Sequence, residues 1–196
     1  MKLARWVDQL RSELRLEDAI DIVSARMRTA NSEDHHILAG QLASLWSEAG
    51  RYSEALQVLD EMIERYPDDV RPSISKATRY LYSIEDPEEA LKCIDLALER
   101  AYRTLRFRRE ALGVKARILL QLGQGGQLSD VLEEIMSLQM MKGIPDVGRE
   151  RDFVDRAPPG LIREDVVTRY NQFRPKRAGD STANEPPEYE PPDDVE

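Results

Sequence analysis

One pattern constrains this chain more than any other. A helix ends at a turn, a second helix follows with a small residue in its opening turn, and the arrangement repeats. Residues 46–56 show it in full, with Gly50 at the turn, Tyr52 opening the second helix and Ala55 inside it. It returns at Asp86-Pro87-Glu88-Glu89-Ala90-Leu91, more loosely over 123–132, and earlier over 16–20. The intervals from Ala19 to Ala55, Ala55 to Ala90 and Ala90 to Val131 are 36, 35 and 41 residues. A two-helix unit at such a period describes a helical-hairpin solenoid, in which each unit covers the apolar face of the next.

Apolar spacing supports a helix in each half-unit. Leu3, Val7, Leu10 and Leu14 form one stripe, and Leu16, Ile20, Val23 and Met27 the next. The stripes that follow are Leu38, Leu42, Leu45, Ala49; then Tyr52, Leu56, Leu59, Ile63; then Ile74, Ala77, Leu81. Leu91, Ile94, Leu98, then Leu112, Ala116, Leu119, then Leu128, Leu132, Ile135 complete the series. No alternating strand pattern competes. Ser32 is placed to cap a helix starting near Glu33. Asp86-Pro87-Glu88-Glu89 combines a capping Asp, a first-turn Pro and acids at the positive helix end. Pro67 stops a helix. Gly50 and Gly123 stand where a left-handed residue ends one.

At these residues the chain resembles the tetratricopeptide repeat (TPR) family. Ala43, Gly50, Tyr52, Ala55 and Pro67 match its motif in the copy over 36–69. The copy over 71–102 keeps Ala90 and Ala97 but has Thr78 and Asp86 where a small residue and Gly are usual. The copy over 109–139 keeps Ala116 and Gly123, and the copy over 1–30 is the weakest. The resemblance implies an all-α, right-handed superhelical solenoid of about four hairpins over 1–140. A C-terminal extension over 141–176 follows, anchored through Phe153 and Val154. Its capping helix carries Ile162, Val166, Tyr170 and Phe173. Residues 177–196, acidic and Pro-rich, read as a disordered tail.

Composition closes off several functions. Hydrophobic residues make up 41% and aromatics only 6%, enough for a helical core and little for a sandwich. The net charge of −9 opposes general nucleic-acid binding. A single cysteine excludes an internal disulfide and a multi-Cys zinc site. No apolar run spans a membrane and the start is no apolar signal segment, so the expectation is a soluble cytoplasmic protein.

No catalytic set stands out, and neither a metal nor a cofactor is expected. His35 and His36 beside Glu33 and Asp34 are adjacent helical positions that point in different directions, which suits a solvated first turn better than an ion site. Cys93 reads as a small half-buried side chain. The Gly123-Gln124-Gly125-Gly126 turn lacks the ending of a phosphate cradle.

Charge is more informative. Residues 100–117 hold Arg100, Arg103, Arg106, Arg108, Arg109, Lys115 and Arg117 against Glu110 alone, a net +6. In the family this chain resembles, the first helix of each hairpin lines a concave groove. The resemblance therefore places Lys76, Arg79, Tyr82, Arg109, Arg117 and Gln121 in a groove, extended by Gln41, Ser44 and Glu48. Arginines beside a tyrosine suit an extended acidic peptide. The expected function is a non-catalytic interaction adaptor with a protein or peptide partner, with no nucleic acid and no membrane. The alternatives are a self-assembling structural repeat exposing Leu3 and Trp6, and a metal or thiol enzyme at His35, His36 or Cys93. The tail over 180–196 carries seven acids and no base, which reads either as a solvating tail with no contact or as a segment that competes transiently for the same groove.

Overall fold

The computed structural model describes residues 15–101, 105–139 and 154–172, with Val7, Gln9 and Arg11 ahead of them. The expectations for Leu3, Trp6, Leu10, Leu14, Phe153, Phe173 and 177–196 lie outside the described residues.

Eight helices follow one another in the described chain: α1 Leu16–Met27, α2 Ser32–Glu48, α3 Tyr52–Arg65, α4 Arg71–Arg79, α5 Pro87–Arg100, α6 Leu105–Gln121, α7 Gly125–Gln139 and α8 Glu164–Gln172. Among the described residues there is no strand. Each helix packs on the one before and the one after, α8 on α7 included. In addition α2 touches α4, and α4 touches α6. The first helices of successive hairpins therefore form a continuous layer. This is a TPR-like solenoid, with no single centre to its core. Its apolar clusters run in series: Val7 with α1 to α3, then α4 to α6, then α6 to α8. Helix α6 serves two of them, giving Ala111 and Ile118 to the middle cluster and Leu112, Ala116 and Leu119 to the last.

Most stripes lie where the spacing put them. On α3 the buried face is instead Ala55, Val58, Leu59 and Met62, while Tyr52 is exposed and Leu56 and Ile63 are half-buried. The helix is wedged between α2 and α4, so its covered arc is wider than one stripe and its centre is rotated. On α5 the same effect buries Ala90, Ile94 and Ala97 and leaves Leu91 and Leu98 at the margin. The cap of α2 is Asn31, not Ser32: its side chain accepts from the Asp34 N–H at 2.8 Å. Asp86 caps α5 as expected, accepting from the Glu89 N–H at 3.0 Å.

The hairpin built on α4 differs from its neighbours by one residue. Its end continues into a π-helical turn, Tyr80–Ile84. Gly50 and Gly123 end the other first helices at φ +74° and +69°. Here the left-handed position is Glu85, at φ 62°, and not Asp86. Across the glycine turns the closing bonds run from the Arg51 N–H to the Trp46 carbonyl (2.8 Å) and from the Gln124 N–H to the Leu119 carbonyl (2.9 Å). The equivalent bond runs from the Asp86 N–H to the Tyr80 carbonyl at 2.9 Å, one residue longer. The π turn absorbs that residue. With the insertion allowed for, Ala77 occupies the buried place of Ala43 and Ala116, and Thr78 only bonds back to the Ile74 carbonyl.

The described part of the C-terminal extension covers the far end of the last hairpin. Val154, Ile162, Val166 and Tyr170 join the cluster of α7. The buried Ser129 hydroxyl accepts from the Arg163 N–H at 3.0 Å and donates to the Gly125 carbonyl at 2.8 Å. Arg163 and Arg169 pair with Asp130 and Glu133 around the rim.

Two predictions follow from the backbone. Glu85→Gly removes a left-handed cost of about 1–2 kcal/mol, offset by about 0.5–1 kcal/mol of glycine entropy. A rise in Tm of about 1–4 °C is expected in a thermal melt. At α7, a Cβ on Gly125 would come to 1.9 Å from the Leu161 carbonyl oxygen, whereas one on Gly126 meets nothing within 4 Å. Gly125→Ala should destabilise by about 1–3 kcal/mol and speed amide exchange at Val166 and Tyr170. Gly126→Ala should stabilise by about 0.5–1 kcal/mol. Urea midpoints and exchange rates of the two variants check the contrast.

Candidate functional site

The first-helix layer brings together side chains that stand one repeat apart. On α2, Ile37, Gln41, Ser44 and Glu48 follow at intervals of four, three and four, along one face. Arg79, at the end of α4, reaches back to this face, and its Nη2 donates to the Ser44 hydroxyl at 2.8 Å. Arg117 on α6 likewise bonds back to the preceding hairpin, its Nη1 donating to the Tyr82 hydroxyl at 3.1 Å. Both bonds span 35 residues, which matches the repeat period. Arg11 closes the near end by pairing with Glu48 at 3.0 Å.

Burial pushes the Arg79 guanidinium below the ordinary arginine range, with Glu48 opposing that shift and Arg11 adding to it. An arginine stays protonated even so. Its hydrogen-bond partner is a neutral hydroxyl, and it pairs with no carboxylate among the described residues. The same is true of Arg117. Tyr82 lies between them in the chain order of the layer and is 55% exposed. The π turn Tyr80–Ile84 carries it, while Leu81 of the same turn stays buried.

The other residues expected in the groove have different surroundings. Lys76 is half-buried and its Nζ pairs with Asp60 of α3 at 2.5 Å. Burial pulls its ammonium down, but the Asp60 hydrogen bond and charge outweigh that and hold it above the usual lysine range. Arg109 is 8% exposed and offers a ligand little surface. Gln121 is exposed at the end of α6. The basic run over 100–117 does not converge. Arg108 pairs with Glu134 of α7, and Lys115 with Asp95 of α5 at 2.7 Å. The side chains of Arg103 and Arg106 lie outside the described residues. Because α6 is sandwiched between α5 and α7, its flanking cations Arg108 and Lys115 meet the acids of those second helices, while Arg117 bonds across the first-helix layer.

Ile37 is the residue that the sequence reading missed. It is 56% exposed and stands one position outside the buried stripe of Leu38, Leu42 and Leu45. The signal was present, since Ile37 continues the spacing of Gln41, Ser44 and Glu48.

The remaining candidates for chemistry sit apart. His35 Nε2 is 3.3 Å from Arg65 Nη1, and its ring lies 6.4 Å from that of Tyr66. The His36 side chain lies outside the described residues. Among the described residues no three His, Cys, Asp or Glu side chains are grouped to hold a metal ion, and no helix is long and apolar enough to cross a membrane. Cys93 on α5 is half-buried, and burial pushes its thiol up, ahead of the lowering influence of Lys76. A raised thiol is a poor nucleophile near neutral pH. Iodoacetamide at about pH 8 should therefore modify Cys93 at least about tenfold more slowly in the folded chain than in urea, as read by mass spectrometry.

No family model and no curated protein matches the chain. Among solved structures it is similar to a Podosopora anserina protein of nearly identical TPR-like repeats, described as a kinesin light chain. The TM-score is 0.58 and the identity 16%, covering 88% of this chain and 84% of that one. At that identity the likeness shows the fold: this chain is built as a TPR-like repeat solenoid.

Proposed function

We propose that the chain is a non-catalytic interaction adaptor whose first-helix layer binds an extended acidic segment of a protein partner. The observation that carries this reading is the pair Arg79 and Arg117. Both are held in place by neutral hydroxyls, and neither meets a carboxylate among the described residues. Several other cations on the hairpins, among them Lys76, Arg108 and Lys115, are already matched to an acid of a neighbouring helix. A carboxylate brought to the two arginines would form charge-assisted hydrogen bonds with little further ordering of either side chain. Tyr82 supplies an exposed aromatic surface beside them, and Ile37 an apolar one further along. An extended segment suits the site because its contacts would recur at repeat spacing, along a layer and not in a pocket.

The test uses a labelled twelve-residue Glu-rich peptide, with Gln-rich and Lys-rich peptides of equal length as controls. The Glu-rich peptide alone should bind, and added salt should weaken it. Arg79→Gln and Arg117→Gln should each cost about 1.5 kcal/mol, or about tenfold in Kd. Unchanged affinity in the double variant, with its thermal melt intact, would overturn the assignment.

A further inference from the structure

The two arginines raise the question of which carboxylates they meet when no partner is present. We infer that the acidic segment 180–190 of this same chain occupies the Arg79–Tyr82–Arg117 surface and competes there with partners; this rests on the reading of that surface given above.

Charge makes the first part of the case. Asp180, Glu185, Glu188 and Glu190 stand in a stretch without a single base, and Pro186-Pro187 favours an extended backbone. The receiving surface has two guanidinium groups bonded only to the Ser44 and Tyr82 hydroxyls among the described residues. Glu48, the acid nearest Arg79 in effect, is engaged by Arg11. Tyr189, flanked by Glu188 and Glu190, brings a ring on which an arginine can stack while those carboxylates accept its N–H groups.

Reach makes the second. The last described residue, Gln172, ends α8, which packs on α7, which packs on α6. Helix axes lie about 8–10 Å apart, so α6 is about 20 Å from α8 and α4 about 30 Å. Thirteen residues separate Gln172 from Glu185 and eighteen separate it from Glu190. At about 3.3 Å per residue these extend up to about 43 and 59 Å, which covers both layers and the length of α6. A segment tethered at this range has an effective concentration on the order of a millimolar. A segment that binds in trans with a Kd of about 1 mM would then compete about twofold, and one of about 0.1 mM about tenfold.

The experiment keeps the full chain. A nitroxide is attached at Ser181→Cys in a Cys93→Ser background, and amide signal loss is read by NMR at about 20 mM salt. The expected result is selective loss at residues 79–83 and 114–121. It should be abolished by Arg79→Gln with Arg117→Gln, and largely relieved at about 0.5 M salt, where the Debye length falls to about 4 Å. In parallel, a chain with Asp180→Asn, Glu185→Gln, Glu188→Gln and Glu190→Gln should bind the Glu-rich peptide about two- to tenfold more tightly than the unaltered chain. Signal loss confined to the neighbours of Gln172, or identical in the double arginine variant, overturns the inference, as does equal peptide affinity of the two chains. If the Glu-rich peptide binds while the signal loss is missing, the tail alone is ruled out. If the peptide binds neither chain, the surface reading falls with it.

Discussion

A helical hairpin has an apolar face that it cannot cover by itself, and the close approach of successive hairpins is what covers it here. That approach depends on side chains small enough to let backbones near one another. Ala43, Ala77 and Ala116 occupy equivalent places on α2, α4 and α6, and Ala55 and Ala90 do so on α3 and α5, all of them buried. A larger residue at any of these points would force the layers apart and open the clusters on both sides. The far end follows the same rule more strictly. The Leu161 carbonyl lies so near the α carbon of Gly125 that no side chain fits there, and Ser129 uses this proximity to join α7 to the cap. Coverage is thus passed along the chain from neighbour to neighbour, and the extension at 154–172 takes the place of a further hairpin.

The one-residue insertion in the second complete hairpin shows how strongly that register is held. An extra residue in an α-helix would rotate everything after it by about 100° and turn Leu81 away from the cluster it completes. The chain confines the excess to Tyr80–Ile84 instead. Ala77 and Leu81 stay buried, Asp86 still caps α5, and Glu85 takes a conformation that the other turns give to glycine. The strain of that left-handed residue is small beside the loss of a buried stripe, so packing prevails over local preference. A consequence is that Tyr82 projects outward, 55% exposed, within reach of Arg117.

The repeat was legible in the sequence because glycine turns and stripe spacing depend on neighbours a few residues away. Gly50, Gly123 and Asp86 take the roles that their chemistry predicts. The rotation of the buried arcs on α3 and α5 was not legible, because it depends on two flanking helices and not on the helix itself. Nor was the π turn: nothing local distinguishes Tyr80–Ile84 from an ordinary helix end except the count from Ala77 to Glu85. For the site, what could not be read was how the cations of the basic run are partnered. The run over 100–117 looks like a patch when read linearly, yet its members point around a helix. Arg109 is buried, Arg108 turns to Glu134 and Lys115 to Asp95, and those acids lie 20 or more residues away in sequence.

What distinguishes Arg79 and Arg117 is therefore not their charge but the kind of partner that fixes them. An arginine paired with a carboxylate is oriented and neutralised together, and it has little left to offer an anion. An arginine held by a hydroxyl is oriented without a carboxylate in direct contact with it. Ser44 holds Arg79 and Tyr82 holds Arg117, so each cation is fixed from the preceding first-helix segment of the same layer. Partial burial of Arg79 raises the cost of leaving that charge unmatched, which shows as its lowered proton affinity. The same burial lowers the local dielectric, so a carboxylate arriving there gains more than it would at a fully solvated lysine. Repeat geometry thus does more than stack helices. It holds two arginine side chains in fixed orientations on one layer, which is what the proposed binding of an extended acidic segment requires.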